Sequence, residues 1–155
     1  MPGTTVVEGL KGLNMFVRLL LVEDHAVLAE ATAEFLRRAG IEVQVAKSGT
    51  EALQTAKTFG PEIILCDLGL PDCSGLDVVR ALRARQDLKR PLFVIHTALA
   101  DSEIQTLERH VQFGDVDLFL SKPITDEKID RLVHELQAVQ RREETPERRH
   151  SRHAA

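Results

Sequence analysis

Aromatic side chains are scarce in this sequence. Its 155 residues include six Phe but no Trp and no Tyr. Surfaces that bind single-stranded nucleic acid stack bases on aromatic rings, so this composition argues against such a surface and against a flavin site built from stacked rings. The formal net charge of −4 gives no basic face that would attract nucleic acid. We therefore expect no direct DNA binding.

Cysteines and long apolar runs are scarce as well. Only Cys66 and Cys73 occur, too few for a disulfide framework and not at the spacing of zinc ligands. No apolar run approaches the ~18 residues that a membrane span needs, and no signal peptide is visible. We expect a cytoplasmic protein that does not contact a membrane. Its hydrophobic content of 43% is that of an ordinary globular domain.

Apolar strands alternate with amphipathic helices along the chain. Strands are predicted at residues 17–22, 41–46, 63–66, 92–96 and 118–121. Helices are predicted at 25–39, after Ser48, at 75–85, after Ser102 and from about Thr125. This alternation predicts a doubly wound α/β fold with a five-stranded parallel sheet. The second strand alternates apolar and polar residues, as an edge strand does, which favours the flavodoxin-like order 2-1-3-4-5.

Three local details are predicted with the helices. Ala31 and Phe35 are expected on the buried stripe of the first helix. Ser48 and Glu51 have the spacing of a capping box at the start of the second helix. Ser102 is expected to cap the fourth helix, which should carry Val111 on its apolar side.

One domain is predicted over residues 15–140. Residues 1–14 have no hydrophobic periodicity, and we expect an N-terminal extension without a structural role. Residues 141–155 are rich in Arg and Glu, and we expect a charged, disordered tail. Nothing beyond residue 140 is expected to fold into a DNA-binding output module.

Charged and polar residues follow four of the predicted strands. Asp67 ends the apolar third strand, and a carboxylate there is costly unless neighbouring groups stabilise its charge. Glu23 and Asp24 follow the first strand, Thr97 the fourth and Lys122 the fifth. The carboxyl ends of parallel strands meet at one edge, and ligands of such sheets bind where the strand order reverses. We expect these side chains to share one pocket.

The residue types in this pocket suit phosphoryl transfer. Asp67 is the candidate nucleophile, a carboxylate that can accept a phosphoryl group. Carboxylate and carbonyl oxygens are ligands that Mg2+ prefers. The predicted Mg2+ ligands are Glu23, Asp24, Asp67 and the backbone carbonyl of Gly69. Lys122 offers a point charge for a phosphoryl oxygen, and Thr97 a hydroxyl donor.

Simpler interpretations stay open for several of these residues. An Asp at a strand end is often only a turn former. Glu23 and Asp24 could be an acidic entry to the first helix, favoured by its dipole. His25 and His96 adjoin the pocket, and we expect both to be structural. Cys73 is not expected to have a redox role, because no resolving thiol stands at a useful spacing.

The residues in this order resemble the receiver domain of two-component response regulators. The matching text is LVED at 21–24, CDLGLPDCSG at 66–75, HTA at 96–98 and FLSKP at 119–123. The resemblance covers residues 17–140. It implies that Asp67 is the phosphoacceptor, that Asp24, Asp67 and the Gly69 carbonyl hold Mg2+, and that Glu23 acts through water. It also implies that Thr97 and Phe119 form a switch pair and that the Lys122–Pro123 peptide bond is cis.

The resemblance further implies partners. A histidine kinase or histidine phosphotransfer protein would donate the phosphoryl group, and a downstream protein would bind the surface of the fourth helix, fifth strand and fifth helix. Such a protein is not a turnover enzyme. Two alternatives remain: an interaction module that works without phosphorylation, and a flavodoxin-like cofactor protein.

Three positions depart from the family pattern. Gly69 and Leu99 stand where polar side chains can position the water that hydrolyses the phosphoryl bond. We therefore expect a long-lived phosphorylated state. Leu118 replaces an acid that supports the dimer of the transcription-factor branch, and this substitution argues against that dimer.

Overall fold

The computed structural model describes residues 16–110 and 115–143 and contains one five-stranded parallel sheet. The strands are β1 (Arg18–Val22), β2 (Glu42–Ala46), β3 (Ile63–Asp67), β4 (Leu92–Thr97) and β5 (Leu118–Ser121). The helices are α1 (Ala26–Arg38), α2 (Gly49–Phe59), α3 (Gly75–Arg83), α4 (Asp101–His110) and α5 (Asp126–Glu143). The order β2-β1-β3-β4-β5 confirms the predicted topology.

Helices cover both faces of the sheet, which separates two apolar layers. On one face Leu21 and Leu65 pack with Leu36 of α1 and Leu132 of α5. The other face is buried under α2, α3 and α4, through Ala52, Val78 and Ile104 respectively. The central strands are therefore apolar on both sides, as parallel sheets usually are. At the edge, β2 leaves Glu42 and Gln44 exposed, as the alternating sequence predicts.

The strand register brings the carboxyl ends of the strands to one edge of the sheet. Val22 is paired with Cys66, Asp67 with His96, and Thr97 with Ser121. The sheet order reverses between β1 and β3, because the chain moves from β1 outwards to β2 and then back across to β3. The crevice expected for a ligand therefore lies beside Asp67.

Two local predictions about the helices are wrong. Ala31 and Phe35 lie on the exposed side of α1, whose buried stripe contains Ala29, Ala33 and Leu36. Phe35 directly precedes Leu36, so the ring points about 100° away from that stripe. Ser102 does not cap α4, because the helix already begins at Asp101 and its first turn closes through Ile104 N–H donating to the Ala100 carbonyl (2.9 Å).

The predicted capping box of α2 is half formed. Ser48 Oγ accepts from Glu51 N–H at 3.1 Å, but the Glu51 carboxylate accepts from Lys47 N–H instead of returning to Ser48. The reciprocal pair of bonds occurs at α3, between Ser74 and Asp77. This second box fixes the point at which the loop after Asp67 enters its helix.

The final helix runs past the predicted domain boundary at residue 140 and reaches Glu143. The predictions for residues 1–14, for 144–155 and for Val111 fall outside the described residues. No helix within residues 16–110 and 115–143 is both long and apolar enough to cross a membrane.

Candidate functional site

Lys122 connects two carboxylates at the carboxyl edge of the sheet. Its ammonium group donates to Asp67 Oδ2 at 3.0 Å and to both carboxylate oxygens of Glu23 at 3.1 Å. The three side chains come from β3 and from the loops after β1 and β5. Glu23 is almost fully buried, while Lys122 and Asp67 are partly accessible. The structure therefore brings together the residues expected from separate strand ends.

The loop that follows Asp67 folds back closely on the end of β3. Gly69 N–H donates to Asp67 Oδ1 at 3.4 Å, and Gly75 N–H donates to the Leu68 carbonyl at 2.7 Å. A Cβ at Gly75 would collide with the backbone oxygen of Asp67. Glycine at position 75 therefore lets the start of α3 approach the backbone of the candidate nucleophile.

Asp72 ties this loop to the start of α2. Its carboxylate accepts from Gly49 N–H at 2.9 Å and from Thr50 N–H at 3.0 Å, and also from the Thr50 hydroxyl at 2.9 Å. These backbone donors lower the pKa of Asp72 to about 2. Sequence reasoning missed this residue, because an Asp in a Pro/Gly loop gives no signal of a partner more than twenty residues away.

The loop that carries Lys122 is fixed on both sides. Lys122 N–H donates to the Thr97 carbonyl at 2.7 Å. The ammonium group of Lys128, in α5, donates to the carbonyls of Ser121 (2.7 Å) and Pro123 (2.8 Å). The Lys122–Pro123 peptide bond is cis, as the resemblance implies. Sequence reasoning missed Lys128, which looks like an ordinary exposed helix cation.

The two bridged carboxylates have opposite pKa shifts. Burial, together with the neighbouring Asp67, raises the pKa of Glu23 to about 7. Burial also disfavours the charge on Asp67, but hydrogen bonds with Glu23 and Lys122 outweigh it and keep the pKa of Asp67 below its usual value. Asp67 is therefore the carboxylate that stays ionised at neutral pH.

The acidic residues also fit a divalent cation. Glu23, Asp24 and Asp67 each offer one carboxylate oxygen, and these atoms lie within 4.8 Å of one another. Glu23 is buried, Asp67 is half-buried and Asp24 is exposed, so the group is open to water on one side. Mg2+ is commonly held in this way, by one or two carboxylates with several waters retained.

Thr97 and Phe119 lie beside this pocket. Thr97 is buried at the end of β4, and its hydroxyl oxygen accepts from Leu99 N–H at 3.3 Å. Phe119 is 7% exposed and belongs to the apolar layer that contains Ile95 and Ile104. The ring of Phe119 is therefore turned inward in this structure, and its role as a switch stays a prediction.

The neighbouring histidines have different surroundings. His25 caps α1, where its Nδ1 accepts from Leu28 N–H at 3.3 Å. Because no acid lies in the first turn of α1, the helix-entry interpretation of Glu23 and Asp24 is weakened. His96 is buried, and its Nε2 has no hydrogen-bond partner among the described residues. Burial and the charges of Lys122 and Lys128 lower the pKa of His96 to about 4.

The two cysteines are both free. Cys66 is buried in β3, and burial raises the pKa of its thiol. Cys73 packs on Gly49, and burial beside Asp72 raises its thiol pKa as well. A thiol with a raised pKa is a poor nucleophile at neutral pH. Neither cysteine therefore contributes an obvious reactive group to the pocket.

Together, the fold and the site define a doubly wound α/β domain with an acidic, lysine-bridged pocket at the point where the strand order reverses. The family model for the response regulator receiver domain matches residues 19–134. The chain belongs to this family of two-component signalling proteins.

Individual relatives agree with this assignment. The cell cycle transcriptional regulator CtrA of Caulobacter vibrioides is 32% identical over 126 residues, which cover 81% of this chain and 51% of CtrA. The chain thus spans about half the length of that relative. The polar-differentiation response regulator DivK of Brucella ovis is 30% identical over 107 residues, 69% of this chain and 85% of DivK.

A solved structure matches the fold as well. The receiver domain of the sensor histidine kinase PA1611 from Pseudomonas aeruginosa superposes with a TM-score of 0.64 at 26% identity, over 77% of this chain and 95% of that one. That domain has a magnesium ion coordinated in its active site cleft.

Proposed function

We propose that this protein accepts a phosphoryl group on Asp67 from a histidine kinase or a histidine phosphotransfer protein and passes the signal on by a change at its surface. The observation that carries the proposal is the bridge from Lys122 to Asp67 and Glu23 at the carboxyl edge of the sheet. It leaves the candidate nucleophile ionised, partly exposed and next to a cation that can meet a phosphoryl oxygen.

The chemical step needs no base. A carboxylate oxygen of Asp67 attacks the phosphorus of a phosphohistidine, and an O–P bond forms as the N–P bond breaks. The imidazole of the donor leaves with the electron pair of that bond and takes a proton from water. Catalysis of such a step is mainly positioning and charge neutralisation. In this chain the ammonium group of Lys122 supplies the positive charge beside the transferred group.

Mg2+ is part of the proposal. Glu23, Asp24 and Asp67 would hold it, with the Gly69 carbonyl as a backbone ligand and Glu23 acting through water. The ion would neutralise charge on the transferred phosphoryl oxygens. The grouped carboxylate oxygens and the magnesium ion in the related PA1611 domain support this assignment.

Phosphorylation would change the surface formed by α4, β5 and α5, and a downstream protein would bind there. Phosphorylation adds negative charge beside Thr97, whose hydroxyl would move towards the new oxygens. The Leu99 contact of that hydroxyl would break, and the movement would make room for the ring of Phe119 to turn inward. Phosphorylation would therefore favour the inward orientation of the ring that this structure contains. A downstream protein that prefers this arrangement would then bind. We further propose a cytoplasmic location and no direct contact with DNA.

The alternatives are less well supported. A flavodoxin-like protein binds a phosphate at the loop after its first strand, and here that loop carries Glu23 and Asp24, which would repel it. An interaction module that needs no phosphorylation would have no use for a costly buried charge pair.

Intact-mass measurement tests the proposal. The protein is incubated with acetyl phosphate and Mg2+ and compared with Asp67→Asn and with Asp130→Asn, which changes an exposed carboxylate on α5. Wild type and Asp130→Asn should gain the mass of one phosphoryl group, and chelation of Mg2+ should prevent the gain. An unmodified wild type, with no beryllofluoride binding, would instead favour the interaction module.

A further inference from the structure

The position of the Lys122 ammonium group depends on the loop between β5 and α5. Lysine carries its charge on a flexible four-carbon stem, so the backbone must be well fixed for the ammonium to stay near one place. On the β4 side, Lys122 N–H donates to the Thr97 carbonyl at 2.7 Å. This single bond fixes the start of the loop but not its path towards α5.

Lys128 supplies a further constraint, in addition to the buried side chain of Ile124 that follows Pro123. Its ammonium group donates to the Ser121 carbonyl at 2.7 Å and to the Pro123 carbonyl at 2.8 Å, one residue on either side of Lys122. Hydrogen bonds from a charged donor are about twice as strong as neutral ones. Lys128 lies in the first turns of α5, and the side chain is only partly exposed.

The partners of Lys128 are also informative, because its ammonium group makes no ion pair with an acidic side chain among the described residues. Across residues 16–110 and 115–143, no ion pair involves Lys128, and its ammonium group hydrogen-bonds only to these two carbonyls. A lysine near the N-terminus of a helix is disfavoured by the helix dipole. Asp126 and Glu127 in the same turn offset this effect, and the two loop carbonyls are the described hydrogen-bond partners of the ammonium group.

We propose that Lys128 is a positioning residue: it holds the backbone on both sides of Lys122 so that the Lys122 ammonium group meets the phosphoryl group on Asp67. This inference rests on the proposed function. Lys128 itself touches neither Asp67 nor the transferred group. Its effect is transmitted through the peptide units of Ser121 and Pro123.

A positioning role and a purely structural role of Lys128 predict different effects on ligand affinity and melting temperature when the side chain is lost. If Lys128 positions Lys122, its loss weakens the binding of a phosphoryl mimic, which contacts Lys122. Binding of Mg2+ alone, which uses the carboxylates, should change little. If Lys128 only stabilises the fold, both affinities should change together with the melting temperature.

The experiment compares the wild type with three variants. Lys128→Met removes the donors but keeps the length of the side chain, and Lys128→Arg keeps a charged group that can donate to two carbonyls. Arg131→Met removes a charge from an exposed residue of the same helix and is the matched control. Beryllofluoride binding is followed by fluorine NMR at saturating Mg2+. Binding of Mg2+ alone is measured by calorimetry, and exchange of the Lys122 amide hydrogen by NMR.

We expect Lys128→Met to weaken beryllofluoride binding about tenfold and to leave the Mg2+ affinity within about twofold, since small displacements of a positioning group have effects of this size or larger. The Lys122 amide should exchange faster in this variant. Lys128→Arg should restore most of the affinity, and Arg131→Met should match the wild type.

Equal beryllofluoride affinity and equal amide exchange in Lys128→Met and wild type would overturn the inference. A parallel loss of both affinities with a large fall in melting temperature would also overturn it, in favour of a structural role. A wild type that binds no beryllofluoride would contradict the proposed function instead. In that case the exchange of the Lys122 amide would still decide whether Lys128 fixes the loop.

Discussion

Lys122 and Asp67 are 55 residues apart in the sequence, yet Lys122 Nζ lies 3.0 Å from Asp67 Oδ2. The same ammonium group also contacts Glu23. One cation therefore separates two carboxylates that burial and mutual repulsion would otherwise destabilise. In the absence of a divalent cation, the stability of this edge of the sheet depends on Lys122.

Lys122→Met should destabilise the metal-free protein. Removing one partner of a partly buried ion pair leaves uncompensated charge, and we expect the free energy of unfolding to fall by about 2 kcal/mol. Added Mg2+ should stabilise this variant more than the wild type, because the ion replaces the lost positive charge. Urea denaturation with and without Mg2+ measures both effects. Lys47→Met, at an exposed site, is the control, and an equal Mg2+ effect in Lys122→Met and wild type would contradict the prediction.

Gly69→Asn should shorten the life of the phosphorylated state. Gly69 is exposed, a Cβ there meets nothing within 4 Å, and its backbone does not have the positive φ found at Gly40 and Gly60. An amide side chain therefore fits, and it could orient a water molecule towards the phosphorus. We expect hydrolysis to become about tenfold faster, a modest effect for groups that assist proton transfer or water attack.

The decay of the phosphorylated mass with time measures this rate. Gly69→Ala adds the Cβ without the amide and should decay like the wild type. A wild type that already decays rapidly, and that Gly69→Asn does not accelerate, would contradict the expected long lifetime.

Gly75→Ala should affect the site through the backbone. The added Cβ would collide with the Asp67 carbonyl oxygen, so either α3 or the end of β3 must shift. Overpacking of this kind costs about 1–3 kcal/mol, and phosphoryl uptake should fall because Asp67 moves. Chemical denaturation and intact mass give the two readouts. Gly69→Ala, in the same loop but with free space, should leave both unchanged.

His96 should make the protein less stable in mild acid. The folded-state pKa of His96 is lowered from 6.5 to about 4, first by burial and then by Lys122 and Lys128. Between these values the unfolded chain binds a proton at this histidine that the folded chain does not, so the contribution of His96 to stability rises as the pH increases from about 4 to 6.5. The raised pKa of Glu23, about 7, acts in the opposite direction over much of this window, so the effect of His96 is the difference between the wild type and a variant without the histidine. The contribution across the window is up to about 3 kcal/mol for a shift of this size.

His96→Leu should remove that part of the pH dependence and leave a buried apolar side chain in place of an unpartnered Nε2. Urea midpoints across the window measure it. His134→Gln, which changes an exposed histidine, should keep the wild-type profile. If the profiles of His96→Leu and wild type were parallel, His96 would not be the titrating group.

The sequence was sufficient to predict the strand ends, because each one combines an apolar run with an abrupt polar residue. Once the sheet is parallel, Asp67, Glu23 and Lys122 must lie at the same edge. The distances between them could not be predicted, nor could the sharing of one ammonium group by two carboxylates. Those depend on rotamers and on the paths of two loops.

The residues that fix the loops around the site could not be predicted in the same way. Asp72 and Lys128 are polar residues in a loop and on a helix, where hydrophobic periodicity carries no information. Their partners are mainly backbone groups, which have no sequence signature. Phe35 illustrates a related limit. An apolar residue at the edge of a helical stripe is compatible with more than one rotation of the helix about its axis, so the sequence does not show whether Phe35 faces the core.

The bond from Lys122 to Glu23 joins residues 99 positions apart, and the bond to Asp67 joins residues 55 apart. Contacts of such wide sequence separation require the long intervening segment to close into a loop, which costs conformational entropy. A partly folded chain that has paired β1 with β3 but lacks β5 would present two acids without their cation. The pocket is thus a feature of the completed fold, and a ligand that binds it stabilises the native state alone.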